Sequence, residues 1–166
     1  MMTKPFRRHF LKEKKATQLL LNLSQKLKTS PKQLFGTKIH VESVEMQAGK
    51  IFLIDGKPLL ALYGDIVLPT LLFNEALNCL PKITVNMGAV PHICNGAEVM
   101  APGVVQIEGE FKGDEFLLVI DELHRKPLAV GKALFNSEDM KNLKRGRIVK
   151  NLHYVGDKLW GLLKQF

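Results

Sequence analysis

Four carboxylates crowd one short stretch, Glu108, Glu110, Asp114 and Glu115. Closely spaced acids are what general acid–base chemistry requires. They surround Gly113-Asp114, however, which reads as the turn of a hairpin between residues 107–112 and 115–121, and a solvated turn explains them better. Asp121 and Glu122 stand beside His124 and Arg125 at a strand end, where a connection with local ion pairs suffices. Asp65 follows a strand and would tighten a turn, and His153 reads as a packed or surface histidine. Cys79 and Cys94 lie 15 positions apart. They form no CxxC pair, and His92 finds no third or fourth ligand at suitable spacing, so two buried, reduced thiols are expected and no metal. Nucleotide, metalloprotease and serine-hydrolase motifs are absent. These residues argue against an enzyme, and no cofactor is expected.

Cations carry a better signal. Lys141, Lys144, Arg145, Arg147 and Lys150 fall within ten residues, just before the last strand. They could neutralise phosphates, with Tyr154 close by to meet a base or ribose, or they could form a solvated loop. The net charge of +8 is also uneven. Residues 1–50 hold eleven Lys/Arg against three acids, whereas the remainder holds thirteen of each. A surplus confined to one end favours an anionic partner, nucleic acid above all. Glycines have a separate meaning. Gly88-Ala89 and Gly96-Ala97 would let a backbone approach phosphate or ribose, with free N–H groups at a helix start near Gly88, or would serve only chain reversal and packing. Gly131 would mark a bulge or a close contact inside a strand.

The elements that must position these groups follow from periodicity. Residues 1–9 read as a basic arm or tail. A helix is expected over residues 10–28, with Ala16, Leu19, Leu20, Leu23 and Leu27 on one stripe, ended by Thr29-Ser30-Pro31. Strands are expected at residues 38–46, 50–54 and 59–63, the last two joined at Asp55-Gly56. Pro69 suits the first turn of another helix carrying Leu72, Ala76 and Leu80 on one side, stopped by Pro81. A strand at residues 82–85 opens the second half. There follow a helix over residues 88–94, a Pro102-Gly103 turn, and strands at residues 104–107, 116–121 and 128–133. A short helix capped by Ser137 and a final strand leading to a core Trp160 complete it. The fold class is therefore an α+β N-terminal domain, residues 1–80, followed by a small mostly-β barrel, residues 81–166. With no apolar run near the ~20 residues of a bilayer span and no signal-peptide pattern, a soluble, cytoplasmic protein is expected.

The string Gly96-Ala97-Glu98-Val99-Met100-Ala101-Pro102-Gly103-Val104, with Gly88-Ala89 before it and Ala129-Val130-Gly131-Lys132-Ala133 after, resembles a PUA domain. That is the barrel-like RNA-binding module named after pseudouridine synthase and archaeosine transglycosylase. The closing Asn151-Leu152-His153-Tyr154, with Asp157, Leu159 and Trp160, is similar to the malignant-T-cell-amplified-sequence family and its archaeal relatives. The resemblance implies a non-enzymatic translation factor that binds structured RNA, rRNA or tRNA, at the small ribosomal subunit or a tRNA acceptor end. A partner like density-regulated protein is also implied. Transferred by motif position, the RNA-facing residues would be Met87, Gly88, Ala89, Gly96, Ala97, Pro102 and Gly103. Charge alone adds Lys132, Lys144, Arg145 and Arg147. The rival expectations are an RNA-targeting accessory of a tRNA or rRNA modification enzyme, and a protein-interaction adaptor.

Overall fold

A computed structural model describes residues 7–37, 39–47 and 49–166 of the 166-residue chain. Residues 1–6 of the expected basic arm lie outside the described residues, as does Lys38, the expected first residue of a strand. Two compact units divide the chain, the first ending at Ala76 and the second comprising Leu77–Gln165.

The first unit runs β1 (Arg8–Phe10), α1 (Glu13–Lys26), α2 (Pro31–Phe35), β2 (Val41–Met46), β3 (Gly49–Ile54), β4 (Lys57–Tyr63) and β5 (Ile66–Pro69), with α3 (Asn74–Asn78) at its end. The strands form one antiparallel meander in chain order. Ala16, Leu20, Leu23 and Leu27 are buried along α1, as the stripe requires, while Leu19 is half-buried. Asp55 and Gly56 both take positive φ, the geometry a two-residue hairpin needs to match strand twist.

Expectations for this unit are corrected at four points. Residues 8–10 are an edge strand, so the described end of the arm lies paired against the sheet and is not a mobile tail, and Arg8 grips Glu42 on β2 through two bonds of 2.6 and 3.0 Å. The helix expected from residue 10 therefore starts at Glu13. Ser30-Pro31 ends one helix and also opens α2, the Ser30 hydroxyl accepting the Gln33 N–H. Pro69 closes β5, where an edge position tolerates its missing N–H, and Leu72 lies exposed before α3.

The second unit runs β6 (Lys82–Val85), α4 (Val90–Ile93), β7 (Val99–Met100), β8 (Val104–Glu108), β9 (Phe116–Asp121), β10 (Pro127–Ala133), α5 (Ser137–Met140), β11 (Arg147–Tyr154) and α6 (Lys158–Leu163). A 3-10 turn, Ala101–Gly103, links β7 to β8. The strand order is β7-β11-β10-β9-β6-β8. Ile83, Val85, Leu117, Val119, Ala129 and Val149 line a core closed by Ile93 from α4 and Met140 from α5. The fold is thus an α+β N-terminal region followed by a curled, mostly-β sheet.

The expected hairpin between residues 107–112 and 115–121 does not form. β6 lies between β8 and β9, antiparallel to the first and parallel to the second. Every residue of β9 is buried, as a central strand with both faces covered demands. Ser137 lies inside α5 and its hydroxyl accepts the Phe111 N–H instead of capping the helix, whose cap position is Asn136. Trp160 is half-buried on α6 with the Lys164 ammonium 5.3 Å from its ring centroid, so it is not a core residue at the end of a strand. Cys79 is exposed and Cys94 half-buried, against the expectation of two buried thiols.

Gly131 is both bulge and close contact. The β10–β11 register shifts at Val130/Gly131, and a Cβ there would stand 2.4 Å from Val149 Cγ1 and 3.0 Å from the Lys150 carbonyl oxygen. Gly131→Ala is expected to destabilise the protein by about 1–3 kcal/mol, as overpacking does, read as a lower midpoint in urea unfolding.

Candidate nucleic-acid interface

The turn after α4 is built from backbone hydrogen bonds. Gly96, at φ +95°, donates its N–H to the Ile93 carbonyl, and Ala97 donates to that of His92. This pair is the Schellman closure of a short helix. A Cβ on Gly96 would meet the Tyr154 hydroxyl at 3.0 Å, so this glycine serves both reversal and packing. The Asn151 carboxamide holds the turn from β11, donating to the carbonyls of Ile93 (3.1 Å) and Ala97 (3.0 Å), while the Asn151 N–H reaches Glu98 Oε2.

The other side of α4 differs from the sequence expectation. The helix begins at Val90, not at Gly88. The Met87 N–H donates to the Glu122 carboxylate at 3.2 Å, and the Ala89 N–H donates to the Asn86 side chain at 2.9 Å. Two of the N–H groups expected to await a phosphate are therefore engaged, one by an anion. Met87 and Gly88 remain exposed. Gly103 sits beside them, its carbonyl accepting the Asn86 N–H, and a Cβ there would come 3.3 Å from that of Ala89. Pro102 is exposed within the adjoining turn. The motif-derived residues thus gather in two groups around α4: Met87, Gly88, Ala89, Pro102 and Gly103 on one side, Gly96 and Ala97 on the other.

The cations fall elsewhere. Lys141, Lys144, Arg145, Arg147 and Lys150 are all exposed, and none forms an ion pair among the described residues. Arg147 stands opposite Met100, itself 47% exposed, where β11 meets β7. Lys132 stands directly across from Lys150 on β10–β11, with its ammonium 3.6 Å from the exposed Asp114 carboxylate. Like charges directly opposed across strands repel, and the Asp114 carboxylate offsets part of that repulsion.

Two acids considered for chemistry have structural work. Asp121 is buried, its carboxylate accepting N–H groups from Leu123, His124 and Lys126. These bonds, that from His124 foremost, hold its carboxyl below the usual range. Asp157 Oδ2 lies 2.8 Å from Nδ1 of the fully buried His153 and accepts the Tyr154 N–H, while Oδ1 caps α6 through the Trp160 N–H. Burial pushes the Asp157 carboxyl up, but the His153 hydrogen bond and charge and the two N–H donors outweigh it and lower it. Sequence reasoning missed Asn151, Glu122 and Asp157 as anchors. Only Asp157, an N-cap residue after a glycine, carried a local signal.

The fold and the loops around α4 define a PUA-domain protein. The PUA domain profile matches residues 81–155, and a second profile, Domain of unknown function (DUF1947), matches residues 7–74. An uncharacterized protein of Methanocaldococcus jannaschii is 40% identical over 129 residues, spanning 77% of this chain and 80% of that one. Translation machinery-associated protein 20 of Schizosaccharomyces pombe is 29% identical over 101 residues, 58% of this chain and 56% of its own. A crystal structure of a hypothetical protein from Pyrococcus horikoshii superimposes with a TM-score of 0.76 at 31% identity, covering 95% of this chain and 99% of that chain. The chain belongs to the malignant-T-cell-amplified-sequence family, as an archaeal-type relative in which the DUF1947 region precedes the PUA domain.

The Asp157 charge gives a pH-dependent test. Its carboxyl is lowered in the folded state, so its stabilisation is fully present above the unfolded value, about 3.9, and is lost as pH falls through the folded value. Asp157→Asn keeps an oxygen for the α6 cap but removes the charge. It is expected to cost about 1–3 kcal/mol near pH 7, with the gap to wild type closing in acid when urea unfolding is repeated down to about pH 3.

Proposed function

We propose that the protein is a non-catalytic, cytoplasmic RNA-binding factor of translation. In this reading it acts at the small ribosomal subunit or a tRNA acceptor end, in initiation, reinitiation or recycling. Residues 81–166 contact RNA, and residues 1–80, with their basic surplus, contribute phosphate contacts or dock a partner like density-regulated protein. The observation that carries the reading is the run Lys141, Lys144, Arg145, Arg147 and Lys150, exposed and without ion pairs among the described residues, within a domain matched to the PUA profile. A solvated cation bound to a phosphate releases counterions, which makes affinity salt-dependent and strong at low salt. Met87, Gly88, Ala89, Gly96, Ala97, Pro102 and Gly103 would then read backbone shape, with Lys132 at the margin. The relatives named for the translation machinery support the ribosomal setting.

A second reading has an observation of its own. The probable tRNA pseudouridine synthase B of Pyrobaculum aerophilum is 38% identical over 95 residues, spanning 53% of this chain but 27% of that enzyme. An RNA-targeting accessory of a tRNA or rRNA modification enzyme would share that much and no more.

Co-sedimentation with separated ribosomal subunits across a salt series tests both. Salt-sensitive binding to the small subunit is expected. The triple change Lys144→Glu, Arg145→Glu and Arg147→Glu is expected to weaken it at least about tenfold and to flatten the salt slope by about 0.7 for each phosphate no longer neutralised. Binding to free tRNA with none to either subunit would favour the accessory reading, and unchanged binding by the triple variant would refute the phosphate contacts.

A further inference from the structure

The sheet of the second unit has two ends, β7 and β8. β8 hydrogen-bonds to β6 along one side only, so alternate residues turn their N–H and C=O groups to an open edge. That edge faces a groove of about 300 Å³ against the segment that runs from α5 towards β11. Val104, Ile107 and Leu143 are half-buried along it, while Met140 and Ile148 are buried and present almost no surface. Its rim carries Val105, 54% exposed, together with the exposed Gln106 amide and Lys141. The carboxylates of α5, Glu138 and Asp139, are not among the residues that line it.

We propose that this groove takes one unstacked nucleobase of single-stranded RNA. The inference rests on the RNA-binding reading above and names what that surface recognises. An unpaired base is flat, has apolar faces and exposes hydrogen-bonding edges, and proteins that read RNA commonly splay such bases out of the strand. The groove offers a complement to each property: the half-buried Val104, Ile107 and Leu143 for part of the face, and Gln106 with open-edge backbone groups for the polar edge. Charge selects a nucleotide over a peptide strand adding to β8. Lys141 lines the groove itself, Lys144 and Arg145 follow on the same connection and Arg147 opens β11, all without ion pairs among the described residues. A base seated in the groove would leave its flanking phosphates free to meet these cations. Duplex RNA cannot enter, because its bases are paired and stacked.

The test uses the full chain and a uridine-rich oligonucleotide with one central 2-aminopurine, as a single strand and annealed to its complement. The fluorescence of 2-aminopurine rises when it leaves the stack, and no aromatic ring lines the groove to quench it. Wild-type protein is expected to raise the single-strand signal severalfold. Val105→Glu, at an exposed position, is expected to abolish the rise and to weaken single-strand binding about tenfold, more than it weakens duplex binding. Gln106→Ala is expected to narrow the affinity difference between oligonucleotides that vary only at the central base. Tight single-strand binding without a fluorescence rise, or with Val105→Glu indistinguishable from wild type, would overturn the groove while leaving the RNA-binding reading intact. Failure to bind the strand while ribosomal subunits are still bound would likewise overturn the groove alone; failure to bind oligonucleotide, tRNA and subunits would overturn both.

Discussion

The second unit depends on one carboxamide. Asn151 donates both of its side-chain N–H groups to carbonyls on the far side of a chain reversal, those of Ile93 and Ala97. Such bonds contribute about 1 kcal/mol each, but their effect here is geometric. They fix the short helix α4 to the last strand, and the same strand pairs with Val99 and Met100 through Val149 and Arg147. Tyr154, three residues on, closes over Gly96, and His153 turns inward to the Asp157 carboxylate that caps α6. β11 therefore positions the Gly96-Ala97 turn, Arg147 and the closing helix at once. An Asn-x-His-Tyr-x-x-Asp pattern is what such a strand requires, because each polar side chain answers a different neighbour.

The first unit is organised by pairing at its edge. Arg8 and Glu42 lie on adjacent strands and hold each other through a two-point contact, which draws the Glu42 carboxyl below its ordinary range and raises the Arg8 guanidinium. Both groups are close to solvent, so the pair adds little to stability in the presence of salt. It does align a three-residue strand that has few other anchors. The cationic excess of the first fifty residues is thus only partly free: Arg8 is committed, while Lys12, Lys14 and Lys15 are exposed at the start of α1.

Much of the fold was legible where the signal is local. Lys82-Ile83-Thr84-Val85 coincides with β6, Asp55-Gly56 makes the turn its residues prescribe, and the stripe on α1 is buried. The errors share a cause. Pro69 suits a helix start or an edge strand equally, and only the position of β5 in the sheet decides. Gly113-Asp114 does bend the chain, with Asp114 at positive φ, but a turn does not reveal which strands it joins. At the candidate interface, cations were visible as charge and glycines as reversals. The carboxylate of Glu122 against the Met87 N–H was not, since nothing near residue 87 indicates a partner 35 positions later. The groove beside β8 was equally hidden, being made by strand order and by no motif.

That strand order has a kinetic meaning. Because β6 occupies the place beside β9, Lys82 must find Leu118 and Val85 must find Asp121 before the centre of the sheet exists. No two-residue turn can bring these partners together; the intervening chain has to be closed as a loop, at an entropic cost due before the contacts reward it. In the first unit the hairpins from β2 to β5 have no such delay, while β1 must close a loop of the same length, Arg8 meeting Val44. During synthesis the hairpins from β2 to β5 can therefore form while β6 still waits for β9.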